Sequence, residues 1–170
     1  MDQDNSAGVT NGDGQAGTPQ GISMRVLAQY VKDLSFENPT APNSLFGAPN
    51  GAPQPSVEVG VDVAARRLSD TDFESELRVH AKSVRGKDTI FLVELVYSGL
   101  FRIEGAPPEM LEPLLLIECP RLLFPFARRI VGDATRDGGF LPLMIDPVDF
   151  ASLYRQQRER QGQQQPTATA

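Results

Sequence analysis

The run Cys119-Pro120-Arg121-Leu122-Leu123-Phe124-Pro125-Phe126-Ala127-Arg128-Arg129 limits most tightly what this chain can fold into, because it writes two prolines into an otherwise helical, apolar phrase. Pro120 suits the first turn of a helix, where its missing N–H has no partner to lose. Pro125, farther in, removes an internal hydrogen bond and predicts a kink. The phrase therefore predicts a kinked, apolar helix, with an interruption at Cys119-Pro120 separating it from an earlier helical segment that starts at Pro107-Pro108 and carries Met110, Leu111, Leu114 and Leu115. Gly138-Gly139 stops it, Phe140 to Ile145 crosses as an extended loop, and Asp146-Pro147 is expected to cap a last helix holding Phe150, Leu153 and Tyr154.

Everything before Gly105 reads as strand and turn. Ile22 to Phe36 is rich in Val, Leu, Tyr and Phe, and its end alternates Leu34 and Phe36 with Asp33, Ser35 and Glu37, a strand with one wet face. The proline-rich stretch from Asn38 to Pro55 cannot pair inside a sheet, because proline lacks the N–H that the ladder needs. It is a long crossover that carries Leu45 and Phe46. Val57, Val59, Val61 and Val63 then alternate with polar or small residues, which puts four valines on one face of a second strand. Phe73, Leu77, Val79 and Ala81 share one parity of a third strand, with Glu74, Glu76, Arg78, His80 and Lys82 on the other. The turn residues Arg85-Gly86-Lys87-Asp88 join it as a hairpin to a fourth. That strand, Thr89 to Ile103, is apolar on both parities, so it is expected at the centre of the sheet with both faces covered. Four strands followed by helices predict an α+β fold, a four-stranded antiparallel sheet with helices on one face.

A chain of 170 residues holds one domain with a sizeable core. Residues 1–21 and 161–170 have almost nothing to bury and are expected to be a disordered extension and tail, leaving 22–160 as the domain. The start has neither a basic flank nor an apolar run, so no secretory signal is expected, and no segment is apolar for long enough to span a bilayer. The expected location is cytoplasmic. One cysteine and one histidine exclude an internal disulfide and a Cys/His zinc set. A net charge of −6 disfavours nucleic acid, whose affinity rests on Lys and Arg, and favours cationic partners.

No catalytic constellation emerges. His80 is read as a solvated strand residue and Cys119 as a small buried one; Gly138-Gly139 lacks the ending of a phosphate loop. Asp33 and Glu37 project from one face of a strand but have no sugar platform beside them. The chain is read as a non-enzyme without cofactor or metal. A hot-dog-type acyl hydrolase also joins a sheet to a long helix, but its helix carries a carboxylate facing a tunnel, whereas here the helix follows all the strands and Glu118 lies just before Cys119-Pro120.

Three phrases, the proline-bearing helix, Tyr30-Val31-Lys32-Asp33-Leu34-Ser35-Phe36-Glu37 and Gly139-Phe140-Leu141-Pro142-Leu143, together resemble the SecB family of bacterial protein-export chaperones. The likeness runs from about Tyr30 to Tyr154. It implies an ATP-independent holdase, a homotetramer built as a dimer of dimers, that keeps unfolded preproteins competent for export and hands them to the SecA motor. The family's acidic SecA-binding surface maps onto Asp33, Glu37, Leu92 and Glu94. A client groove between the crossover and the kinked helix would take Leu45, Phe46, Val57, Val59, Ile117, Leu122 and Phe126, since binding many unfolded chains calls for exposed apolar surface. A SecB-like chaperone dedicated to a toxin–antitoxin pair is the alternative within this class. The chain departs from the family in a crossover without tryptophan, in a tail of glutamines, threonines and alanines after Arg155 to Arg160, and in its long N-terminal extension.

Overall fold

The computed structural model describes residues 21–48 and 50–163. Residues 1–20 and 164–170, most of the expected extension and tail, lie outside the described residues. Four strands form one antiparallel sheet: β1 (Ser23–Glu37), β2 (Ser56–Arg67), β3 (Asp72–Arg85) and β4 (Asp88–Glu104). They lie in the order β1-β4-β3-β2, so the crossover carries the chain from one edge of the sheet to the other and β4 is central. The β3–β4 hairpin turns at Gly86, whose φ of 61° suits a residue without a Cβ.

The odd residues of β3 and β4 face the helices. Phe73, Leu77, Val79, Ala81, Val93, Leu95, Phe101 and Ile103 are buried there with Leu115, Cys119, Leu123, Phe124, Ala127 and Val131. The opposite, outer face of β4 departs from expectation. Leu92, Val96 and Leu100 are only half-buried, because the helices all pack on the inner side and only neighbouring strand side chains shelter this face. An apolar pattern on both parities reports what is to be covered, not which chain covers it.

The helical region also differs from its reading in the sequence. No break occurs at Cys119-Pro120: α1 (Pro108–Pro113), a π-helical turn (Leu114–Glu118) and α2 (Cys119–Asp137) follow one another without a loop. Pro120 has no N–H for the carbonyl one turn back, and the wide turn before it, in which the Cys119 N–H bonds the Leu114 carbonyl, lets the chain wind on. Asp149 rather than Asp146-Pro147 opens α3 (Phe150–Gln163). Its carboxylate accepts from the Ser152 N–H at 3.1 Å and the Ser152 hydroxyl at 2.7 Å. Residues 161–163 continue this helix instead of starting a tail.

Side-chain contacts show how α2 crosses the sheet. Near its start the Ser75 hydroxyl on β3 donates to the Leu115 carbonyl at 3.0 Å. Farther on, Phe126 stacks over Tyr97 of β4 at 6.4 Å. At its end a Cβ on Gly138 would meet the Phe36 ring of β1 at 2.2 Å, so only glycine lets the helix end there. Gly139, at a φ of 90°, turns the chain away beside Leu45. The helix thus runs obliquely from the β3 side to the β1 side, and Phe36, Phe91 and Phe140 pack at its far end with centroids 5.1 to 6.4 Å apart.

Leu123 is fully buried at the middle of this contact. Leu123→Ala is expected to destabilise the protein by about 2–5 kcal/mol, the cost of lost apolar transfer plus a cavity; urea unfolding at fixed protein concentration measures it.

Candidate functional site

Register places Asp33, Glu37, Leu92 and Glu94 together on the outer face. Glu37 pairs with Leu92, Ser35 with Glu94, and Asp33 with Val96. These are alternate positions of two adjacent strands, and alternate residues share a face. β2 and β3 extend the same half of the face with Glu58, Asp62 and His80, of which sequence reasoning singled out only the histidine. A shallow groove is lined by Asp33, Asp62, His80 and Glu94 together, with Arg78 among them. The signal for Asp62 and Glu58 was present in the alternation of β2; their place beside β1 residues was not, because it depends on strand order.

The other half of the outer face is also charged but neutralises itself. Glu74 is 2% exposed; the Tyr30 hydroxyl and Arg66 donate to it, and Lys32 lies 3.4 Å away. Glu76 accepts from Lys32 and from Arg78 Nε, each at 2.7 Å. Arg102 grips Asp72 through two nitrogens at 2.7 and 2.9 Å. Lys32 reaches across because it is the extra residue of a β-bulge between Val31 and Asp33. Burial pushes the Glu74 carboxyl up, but the hydrogen bonds from Tyr30 and Arg66 and the cations beside it prevail, so it titrates below the ordinary glutamate range. The Lys32 hydrogen bond holds Glu76 down in the same direction. The sequence reading left Glu74 and Glu76 on a plain polar parity and missed this clamp, which gathers side chains from β1, β2 and β3. Asp33, Glu37, Glu58, Asp62 and Glu94, by contrast, enter none of the ion pairs among the described residues.

The apolar residues assigned to one groove occupy separate places. Leu45 touches Gly139 at the end of α2, and Phe46 beside it is 83% exposed. Val57 and Val59 are exposed on β2, an edge strand. Leu122 and Phe126 are exposed on α2 toward the opposite edge: the Tyr97 under Phe126 donates its hydroxyl to Gln29 of β1 at 3.3 Å. There they join Val26, Leu27, Val31 and Leu34, exposed apolar residues of β1. Ile117, half-buried, lies in the π turn. The oblique path of α2 separates the two sets, and spacing in the sequence could not reveal it.

No part of this arrangement resembles a reaction centre. Cys119 is buried, with its thiol pushed up to about 12 by desolvation, far from a reactive thiolate. Glu118 pairs with Arg121 on an exposed side of the helix rather than facing a tunnel. Among the described residues no set of three or more His, Cys, Asp or Glu is placed to hold a metal ion, and no helix is long and apolar enough to cross a membrane.

A solved SecB-like chaperone of Mycobacterium tuberculosis, in complex with a peptide from an antitoxin, superposes with a TM-score of 0.58 at 14% identity, covering 74% of this chain and 90% of that one. The class is thereby fixed as the SecB-like α+β fold. The sequence goes further: the family described as preprotein translocase subunit SecB matches residues 17–161. A protein-export protein SecB from a Bradyrhizobium species is 56% identical over 90% of this chain and 93% of its own length. One from Parvibaculum lavamentivorans is 54% identical over 94% and 91%. The chain belongs to the SecB family, whose members are chaperones rather than enzymes, and its role is that of a SecB-type chaperone.

The clamp predicts an acid response. Because the Glu74 and Glu76 carboxyls titrate below their ordinary 4.5, the stability they contribute is complete above that value and is lost as pH falls through their lower folded values. Lys32→Ala is expected to lower stability at neutral pH and to make the loss on acidification shallower. Urea titrations between neutral pH and the lower carboxylate range check both.

Proposed function

We propose that this chain is an ATP-independent holdase of the cytoplasm that keeps unfolded preproteins competent for translocation and delivers them to the SecA motor. The observation that carries this reading is the division of the outer sheet face: one half ties its carboxylates to its own cations, while the other leaves Asp33, Glu37, Glu58, Asp62 and Glu94, among the described residues, without ion pairs around half-buried Leu92 and Val96. Unpaired carboxylates beside modest apolar area suit reversible docking of a cationic protein surface, where charge sets rate and orientation. Clients have a different place to bind, on the crossover and the β2 edge with Leu45, Phe46, Val57 and Val59. The docking and client surfaces can then be occupied at once, as a handover needs.

The second apolar set points to self-association. β1 is an edge strand of 15 residues whose outer side pairs with no strand among the described residues, and its exposed apolar side chains continue onto Leu122 and Phe126. Long apolar edges are blunted in stable proteins by charge, by a covering element or by pairing. Pairing with a second copy would cover this one and supports the dimer of dimers. Export clients are favoured over an antitoxin because relatives above half identity are protein-export proteins, whereas the likeness to the antitoxin-bound chaperone is one of fold.

Asp33→Lys or Glu94→Lys is expected to weaken SecA binding roughly tenfold while client binding persists; equal loss of both would sink the division of surfaces. Light scattering at micromolar concentration should show a tetramer, and a stable monomer would refute the self-association. Phe46→Ser should weaken suppression of client aggregation in the absence of ATP. Phe126→Ser should disturb the tetramer first.

A further inference from the structure

The one histidine of the chain stands in the middle of the acidic half of the outer sheet face. Gly60, His80 and Glu94 lie side by side across β2, β3 and β4. His80 is therefore the direct cross-strand neighbour of Glu94, and it lines the same shallow groove as Asp33 and Asp62. Its place is prepared by β2 as well. Between Glu58 and Asp62, where the alternation of β2 would set another outward side chain, the residue is glycine. A Cβ on Gly60 would fall within the His80 imidazole, so the ring lies across the edge strand at that point; a glycine inside a strand marks such a close approach. The charged groups around the ring come from every strand. β1 contributes Asp33 and Glu37, β2 Glu58 and Asp62, β4 Glu94, and β3 itself Arg78 and Lys82, which stand opposite Asp62 and Glu58. Arg78 is tied to Glu76, whereas the five carboxylates enter none of the ion pairs among the described residues. Carboxylates ordinarily change charge near about pH 4, and lysine and arginine above about pH 10. Imidazole does so at about pH 6.5, near neutrality.

We propose that His80 makes docking of a cationic partner on this face sensitive to pH: neutral, it leaves the carboxylates around it free, and protonated, it pairs with Glu94 and weakens the hold. The inference rests on the docking reading of this face and adds a control to it. A cation placed among the docking carboxylates repels a cationic surface and competes with it for Glu94, so a single proton acts at the centre of the patch and not at its rim.

The test titrates the full-length chain against an acetylated fluorescent oligolysine peptide, whose own charge is constant over the range, at low salt and at about pH 7.5 and about pH 5.5. The parent is expected to bind roughly three- to tenfold more weakly at the lower pH, the effect of one charge a few ångströms from the contact. The difference should shrink as sodium chloride is raised. His80→Gln should remove most of the difference. His80→Lys, which carries the charge permanently, should bind at the higher pH about as weakly as the parent does at the lower. The position is exposed, and circular dichroism checks that both variants fold. Equal affinity of the parent at the two pH values would overturn the inference and leave the docking reading standing, as would an undiminished difference in His80→Gln. A parent that fails to bind the peptide at either pH would overturn the docking reading as well.

Discussion

Burial of the inner face of β4 beneath the oblique helix is the interaction on which the rest of the structure depends. β4 pairs with β1 on one side and β3 on the other and so joins the first strand to the rest of the sheet. Its Val93, Leu95, Phe101 and Ile103 meet Cys119, Leu123 and Ala127 in one continuous core. The helical run crosses this strand at a slant, from the π-helical turn over Ser75 of β3 to the end of α2 over Phe36 of β1. Val57 and Val59 of β2 and the outer edge of β1 stay outside its shadow. Both apolar surfaces of the molecule are what one helix, laid diagonally, cannot cover.

The outer face follows a different rule. With no helix over it, its chemistry is governed by which charges find partners along and across the strands. The bulge at Lys32 is the device that divides the face: it turns one ammonium toward Glu74 and Glu76, and beyond it Asp33 and Glu37 lie on the outer side and enter none of the ion pairs among the described residues. A buried carboxylate must be paired or hydrogen-bonded to be tolerated, and Glu74 is both. An exposed one is solvated by water and remains available. The same residue type thus serves as a fixture on one half and stands exposed on the other.

The fold leaves apolar surface at its margins and not in a closed pocket, without loss of its core. Phe36, Phe91 and Phe140 close the end of the core nearest the crossover, so Phe46 is not needed inside and can stay in solvent. Likewise Phe124 packs edge-on against Phe150 to hold α3, while Phe126, two residues on, is left on the outer side of the same helix. The Cys119–Arg129 phrase therefore divides its aromatic residues between the core and the surface.

Much of the architecture was legible from residue order. Alternation in β2 and β3, the turn at Arg85 to Asp88 and the unbroken apolar β4 defined an antiparallel sheet followed by helices, because strand and helix periods are local properties of the chain. The family likeness brought Asp33, Glu37, Leu92 and Glu94 to light, and the register then gathered them on one face. What only tertiary structure decided was every question of which side and which neighbour: the passage of the helix through Pro120, the split of the apolar residues between two edges, the Glu74–Glu76 clamp and the uncovered outer face of β4. Each depends on the crossing of α2 over the sheet and on a strand order that joins β1 to β4, contacts between residues distant in sequence. A period read along the chain fixes the face of a side chain relative to its own strand. It takes the packed structure to say what stands opposite.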